Sequence, residues 1–174
     1  MPISRRISQA FDERPAMLKV LFLAAALAFT VAAQAQVKEG QAMPAFDTRL
    51  LDGKTLSAQA LQNKAVLVVF WATWCPACQK ELPELQALYE KHRARGLEIL
   101  ALSVDADRFT VEEFWKDHEY TFPVAMNTPA HRKVFGPIKG TPTLYLIDRK
   151  GVLRMVRPGR MGLKQLEDRL LPLL

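Results

Sequence analysis

The chain carries two cysteines, spaced Cys75-Pro76-Ala77-Cys78. Sulfurs that close could serve as a redox couple, as part of a metal site or as a structural staple. The staple is the weakest use, because closing so short a loop removes little entropy from the unfolded chain. A zinc site would want four ligands, and His92, His118 and His131 show no ligand spacing with the pair. Disulfide exchange needs a nucleophilic thiolate, a second thiol to resolve the mixed disulfide, and somewhere for a proton to go. Cys75 reads as the attacker, exposed at the start of a helix, where free backbone N–H groups and the helix dipole favour a thiolate. Cys78, one turn in, is placed to resolve. Glu81 follows at i+3 from Cys78 and lies on the same helical stripe. A partly buried carboxylate there has a raised pKa and can take the Cys78 proton. The other reading of Glu81 is a plain surface glutamate; its neighbours Leu82 and Leu85 favour the buried one. No nicotinamide or flavin fingerprint is present, so no cofactor or metal is expected beyond the Cys75–Cys78 disulfide itself, and electrons must arrive from outside the domain.

The elements around this pair are legible from periodicity. Ala65–Phe70 is an apolar, β-branched run that reads as a buried strand, and a helix from Cys75 to about Arg95 follows, with Leu82, Leu85 and Leu88 on one face. Pro83 should kink that helix and Gly96 should end it. Leu97–Val104 is a second strand, placed parallel to the first by the helix joining them. Upstream, Phe46–Leu50 and Thr55–Leu56 flank Asp52-Gly53, a hairpin signal, and Ser57 can cap a short helix to Leu61. Downstream, Thr110-Val111-Glu112-Glu113 reads as a capping box, opening a helix with Val111, Phe114, Trp115 and His118 on one face. Phe122–Met126 reads as a strand, Ala130–Phe135 as a turn or two of helix, and Gly140-Thr141-Pro142-Thr143 leads into the strand Leu144–Ile147. The turn Asp148–Gly151, a return strand Val152–Val156 and a helix from about Gly162 close the chain. The expectation is an α/β fold, a mixed central sheet with helices on both faces.

At 174 residues the chain allows one domain and an appendage. Lys19, the apolar run Val20–Ala33 and Ala33-Gln34-Ala35 form a secretory signal peptide pattern. Residues 1–35 are expected to be a cleaved leader and 36–174 the domain; the alternative is an uncleaved inner-membrane anchor over residues 18–35. Residues 1–16 make an awkward leader start, and initiation at Met17 would give a compact one. No cysteine follows the run, which excludes lipoprotein anchoring. Net charge is +6; taking the four basic and two acidic residues of 1–35 from totals of 24 and 18 leaves 20 and 16, or +4. That balance is too weak to argue for nucleic acid. Arg149, Lys150, Arg154, Arg157 and Arg160 read as a solvated edge.

Trp74-Cys75-Pro76-Ala77-Cys78, Pro83 in the following helix and Gly140-Thr141-Pro142-Thr143 before a strand together resemble the thioredoxin superfamily. Trp-Cys-x-x-Cys-x-x-Glu-x-Pro over Trp74–Pro83 is similar to its TlpA/ResA/CcmG branch of exported thiol–disulfide reductases, and Arg108–Met126 resembles that branch's insertion. The resemblance covers nearly everything from Met43 onward. It implies a thioredoxin-like fold with an N-terminal β-hairpin and a central αβ insertion. Cytosolic thioredoxins hold a buried Asp where this chain has Val69 and a buried Lys where it has Ala101, so the branch implies Glu81 as the proton acceptor. It also implies a cis Pro142, with the Thr141 main chain offered to an extended substrate and Trp74 and Pro76 beside it. The implied activity is a periplasmic thiol–disulfide oxidoreductase that reduces protein disulfides, in cytochrome c maturation or copper-site assembly. The implied donor is a membrane thiol transporter, and a monomer is expected. A disulfide-introducing oxidase and a copper-binding chaperone using a converging His131 stay open as alternatives. A thiol peroxidase would want Thr or Ser three residues before the reactive cysteine, where this chain has Ala72.

Overall fold

The computed structural model describes residues 37–174. The expected leader, anchor and start at Met17 lie outside the described residues. No helix among the described residues is long and apolar enough to cross a membrane.

Residues 65–71 are apolar and buried on both faces, which suits only a central strand. This strand, β3 (Ala65–Trp71), runs one residue past the expected end. A two-stranded antiparallel hairpin precedes it, β1 (Thr48–Arg49) and β2 (Thr55–Leu56). It is shorter than Phe46–Leu50 suggested, because its pairing fades beyond the turn. Gly53 takes φ +84° there, a conformation only glycine adopts at little cost. Ser57 Oγ accepts from Ala60 N at the head of a 3₁₀ turn, Gln59–Leu61.

Helix α1 (Pro76–His92) follows β3 and passes through Pro83 without interruption. A 3₁₀ turn, Arg93–Arg95, then tightens its end before Gly96 reverses the chain at φ +95°. β4 (Leu97–Ser103) returns beside β3 in parallel, in a register running from Ala65 opposite Leu97 to Trp71 opposite Ser103. Next come α2 (Arg108–Asp117), β5 (Val124–Met126) and α3 (Pro129–Phe135). β6 (Thr143–Ile147), β7 (Leu153–Pro158) and α4 (Leu163–Leu170) complete the domain. The sheet order is β5-β4-β3-β6-β7, with β4–β5 parallel and β6 antiparallel to both β3 and β7.

Odd-numbered residues of β3 (Leu67, Val69, Trp71) meet Leu82, Leu85 and Leu88 of α1 and Leu166 and Leu170 of α4. Each fully buried leucine of that set contributes about 1.5–3 kcal/mol by leaving water. The even residues (Val66, Val68, Phe70) meet Phe135 of α3, with the hairpin region adding Phe46, Leu50 and Leu56. Helices therefore cover both faces, as expected. The insertion, α2 and β5, is fastened by an aromatic run: Trp71–Trp115 at 5.2 Å and Trp115–Phe122 at 4.8 Å between ring centroids.

Two local readings are corrected. α2 starts a turn early: Asp107, not Thr110, caps it, accepting from the N–H groups of Phe109 and Thr110. Thr110 instead donates its hydroxyl to Asp107 at 2.6 Å, and a carboxylate at the N-cap outcompetes a hydroxyl for those donors. Phe122-Pro123 stays outside β5, since proline supplies no ladder donor. The five basic residues are exposed, as a solvated edge requires, and three of them are also paired. Arg149 donates to Arg95 O, Arg154 to Asp148 and Arg160 to Glu84. The β7 edge is partly covered as well, with Gly40 N donating to Leu153 O and Leu153 N to Gln41 O.

Candidate active site

β3 delivers the chain to the carboxyl end of the sheet, and α1 carries it back along the face. The turn between them is short, so Cys75 becomes the helix N-cap, and Pro76 sits at the first helical position, where its missing N–H costs nothing. Cys75 and Cys78 are joined in a disulfide with 5.2 Å between their Cα atoms. Cys75 Sγ accepts the Cys78 N–H at 3.2 Å. A sulfur in that position receives the positive end of the helix, the arrangement that favours an anion there once the disulfide opens.

Cys75 is not exposed, as the sequence suggested. It is only 4 % accessible and Cys78 is fully buried. The reason is tertiary: the sulfurs pack into the apolar layer between α1 and the sheet. The side chain offered to solvent is Trp74, 67 % exposed. Pro76 is exposed beside it.

Glu81, one turn beyond Cys78, is 1 % accessible, so the surface alternative is overturned. Its Oε1 accepts from Met161 N at 2.9 Å, and its Oε2 has no hydrogen-bond partner among the described residues. Burial pushes its pKa up from 4.5 to about 7, against the pull of the Met161 N–H and the Arg160 guanidinium and with help from Glu84. On the sheet beneath α1, Val69 and Ala101 face each other across β3 and β4, both buried.

The Thr141–Pro142 bond is cis. Pro142 is buried and Thr141 half-buried. Because β6 is antiparallel to β3, with Thr143 opposite Phe70, this loop lies at the same end of the sheet as the cysteines. Gly159 N donates to Pro142 O and ties the loop to β7.

The histidines lie elsewhere. His92 meets Glu167 at 2.7 Å, and His118 stacks on Phe114 at an exposed helix end. Both ring nitrogens of His131 are engaged, Nε2 with Thr48 and Nδ1 with Thr128, where it completes a capping box on α3. That is the face of the sheet opposite α1, so His131 does not converge on the cysteines.

Sequence reasoning missed three participants. Thr73 and Asp105 bind each other through two hydrogen bonds, and Met161 N meets Glu81 from α4's approach. The first pair is visible only in the strand register, which aligns Trp71 with Ser103 and therefore residue 73 with residue 105.

Comparison with known proteins agrees with this geometry. The Redoxin family profile matches residues 38–170. Thiol-disulfide oxidoreductase ResA of Bacillus cereus is 33 % identical over 155 residues, covering 86 % of this chain and 89 % of that one. A thiol:disulfide interchange protein of the thioredoxin family from Chlorobium tepidum superposes with TM-score 0.72 at 28 % identity, over 80 % of this chain and 99 % of that one. A second structure from Chlorobium tepidum, described as a thiol:disulfide interchange protein DsbE, gives 0.71 at 26 %, over 79 % and 98 %. The chain belongs to the Redoxin family and is a ResA/CcmG-like thiol–disulfide oxidoreductase of the thioredoxin superfamily.

Proposed function

We propose that this oxidoreductase works outside the cytosol as a reductase of protein disulfides, with Cys75 as nucleophile, Cys78 as resolving thiol and Glu81 as proton acceptor. The observation that carries the reading is a buried carboxyl, poised near pH 7, one helical turn below a disulfide at a helix N-terminus. In the reduced enzyme the Cys75 thiolate attacks a substrate disulfide, forming one S–S bond while one substrate thiolate leaves. Glu81 accepts the Cys78 proton, and the Cys78 thiolate attacks Cys75 Sγ, restoring the intramolecular disulfide and expelling the second substrate thiolate. Two electrons pass to the substrate, whose two sulfurs leave as thiolates; Glu81 returns its proton to one of them, and the other takes from solvent the proton that Cys75 gave up on ionising.

Substrate recognition is assigned to the exposed Trp74 and Pro76 and to the main chain at Thr141-Pro142, ahead of the β6 ladder, where an extended segment pairs by strand addition. Partners of the right chemistry are proteins with closely spaced cysteines, such as an apocytochrome c or a copper-site assembly protein, and a membrane thiol transporter as electron donor. The enzyme acts as a monomer in the periplasm, exported by the apolar leader within residues 1–35.

Equilibration with glutathione buffers tests direction: a potential near or below about −270 mV supports a reductase, and one near about −120 mV an oxidase. Insulin reduction tests the roles. Cys75→Ser should abolish turnover, and Cys78→Ser should accumulate a mixed disulfide through Cys75. A Cys75→Ser protein as active as the parent ends the proposal.

A further inference from the structure

Thr73, two residues before the attacking sulfur, has every polar atom it owns engaged. Its N–H donates to Asp105 Oδ2 at 3.0 Å and its hydroxyl to Asp105 Oδ1 at 2.7 Å. Its carbonyl accepts from Gln79 Nε2 at 2.6 Å, a side chain on the first turn of α1. Asp105 is held in turn. The buried Ser103 hydroxyl donates to its Oδ2 at 2.6 Å, and Asp105 N donates back to Ser103 Oγ at 3.0 Å. The clamp thus spans the ends of β3 and β4 and the head of α1. It continues the parallel register two residues beyond the last ladder pair, Trp71–Ser103.

We propose that Asp105 is a positioning residue of the redox couple: by gripping Thr73 it keeps Cys75 Sγ seated on the first N–H groups of α1 after the disulfide opens. In the oxidised protein the S–S bond already holds the turn. On reduction that tether is gone, and the Cys75 sulfur keeps its place through the Cys78 N–H contact and the backbone geometry of residues 72–75. Thr73 is the residue through which the sheet fixes that geometry. A thiolate is stabilised only while its donors stay aimed at it, so a slack turn reprotonates the sulfur and slows attack. The carboxylate charge acts the other way, since an anion near Cys75 disfavours a thiolate. The two effects are separable by substitution. The proposal rests on the reading of Cys75–Cys78 as the working couple.

The test is the pH profile of Cys75 alkylation by iodoacetamide in the reduced full-length chain, read by peptide mass spectrometry, alongside the glutathione equilibrium. In Asp105→Ala the alkylation rate near pH 6 should fall about fivefold, the factor corresponding to one net hydrogen bond. Asp105→Asn should stay within about twofold of the parent. Its Oδ1 can accept from Thr73 N and Ser103, and its amide can donate to the Thr73 hydroxyl. Thr73→Val, which removes only the hydroxyl bond, should shift the profile the same way by a smaller factor, and it carries the test if Asp105→Ala does not fold. A parent-like profile in both Asp105→Ala and Thr73→Val overturns the proposal. So does a loss in Asp105→Asn equal to that in Asp105→Ala, because asparagine keeps the grip on Thr73 and removal of the charge alone would raise the rate. A parent that shows no exchange at all would instead sink the proposed function.

Discussion

Replacing Glu81 by glutamine should change how stability depends on pH, by an amount the structure sets. A carboxyl moved from 4.5 to about 7 differs by about 3 kcal/mol between its protonation states, at about 1.4 kcal/mol per pH unit. Below pH 4.5 the group is protonated in both the folded and the unfolded chain, so the folded state carries no penalty. Between 4.5 and about 7 the unfolded chain ionises while the folded one holds its proton. The folded state then binds more protons, and stability falls as pH rises. Above about 7 both are ionised and the full amount is lost. Glutamine removes the titration but keeps an Oε1 to accept from Met161 N, so any packing offset is the same at every pH. The assay is urea unfolding of the oxidised protein and of Glu81→Gln from pH 4.5 to 8, reading the difference so that other titrating groups cancel. The variant should gain about 3 kcal/mol on the parent across that range, with the change centred between pH 4.5 and 7. A difference that stays flat within about 0.5 kcal/mol would refute the reasoning, because a carboxyl that titrates normally in the fold cannot be the buried proton acceptor.

Trp74→Ala should leave the urea midpoint almost unchanged, since the side chain is largely in solvent. It should lower kcat/KM for protein disulfides more than for a small disulfide such as oxidised glutathione; equal effects on both would remove Trp74 from substrate recognition. Gly96→Ala should destabilise the fold by about 1–2 kcal/mol in urea, because φ is +95° and any Cβ is strained there. The Arg149 guanidinium, 3.2 Å from the new Cβ, can swing aside, so a neutral substitution would count against the backbone argument rather than the contact.

The legible parts of this protein are those whose causes are local. The apolar run Ala65–Phe70 announces β3, leucines at helical spacing announce α1, and Asp52-Gly53 announces a reversal. Where two local signals competed, the sequence misled: Asp107 and Thr110 are both N-cap types, and only the positions of the N–H donors show which one caps α2. The accessibility of Cys75 was misjudged for another reason. A helix N-terminus is exposed by default, and here the sheet and α1 close over the sulfurs.

By themselves, the residue types and their spacing narrowed the chemistry: two sulfurs one helical turn apart and a carboxyl on the next turn favour thiol–disulfide exchange over a zinc site or a structural staple. Tertiary structure decided the conditions under which that chemistry runs. Burial and one N–H from residue 161, 80 positions away, set the proton affinity of Glu81. A strand register joining residues 32 apart decided that Thr73 meets Asp105. Spacing is a property of the chain's covalent geometry, whereas desolvation and cross-strand alignment come into being only when distant segments share a core.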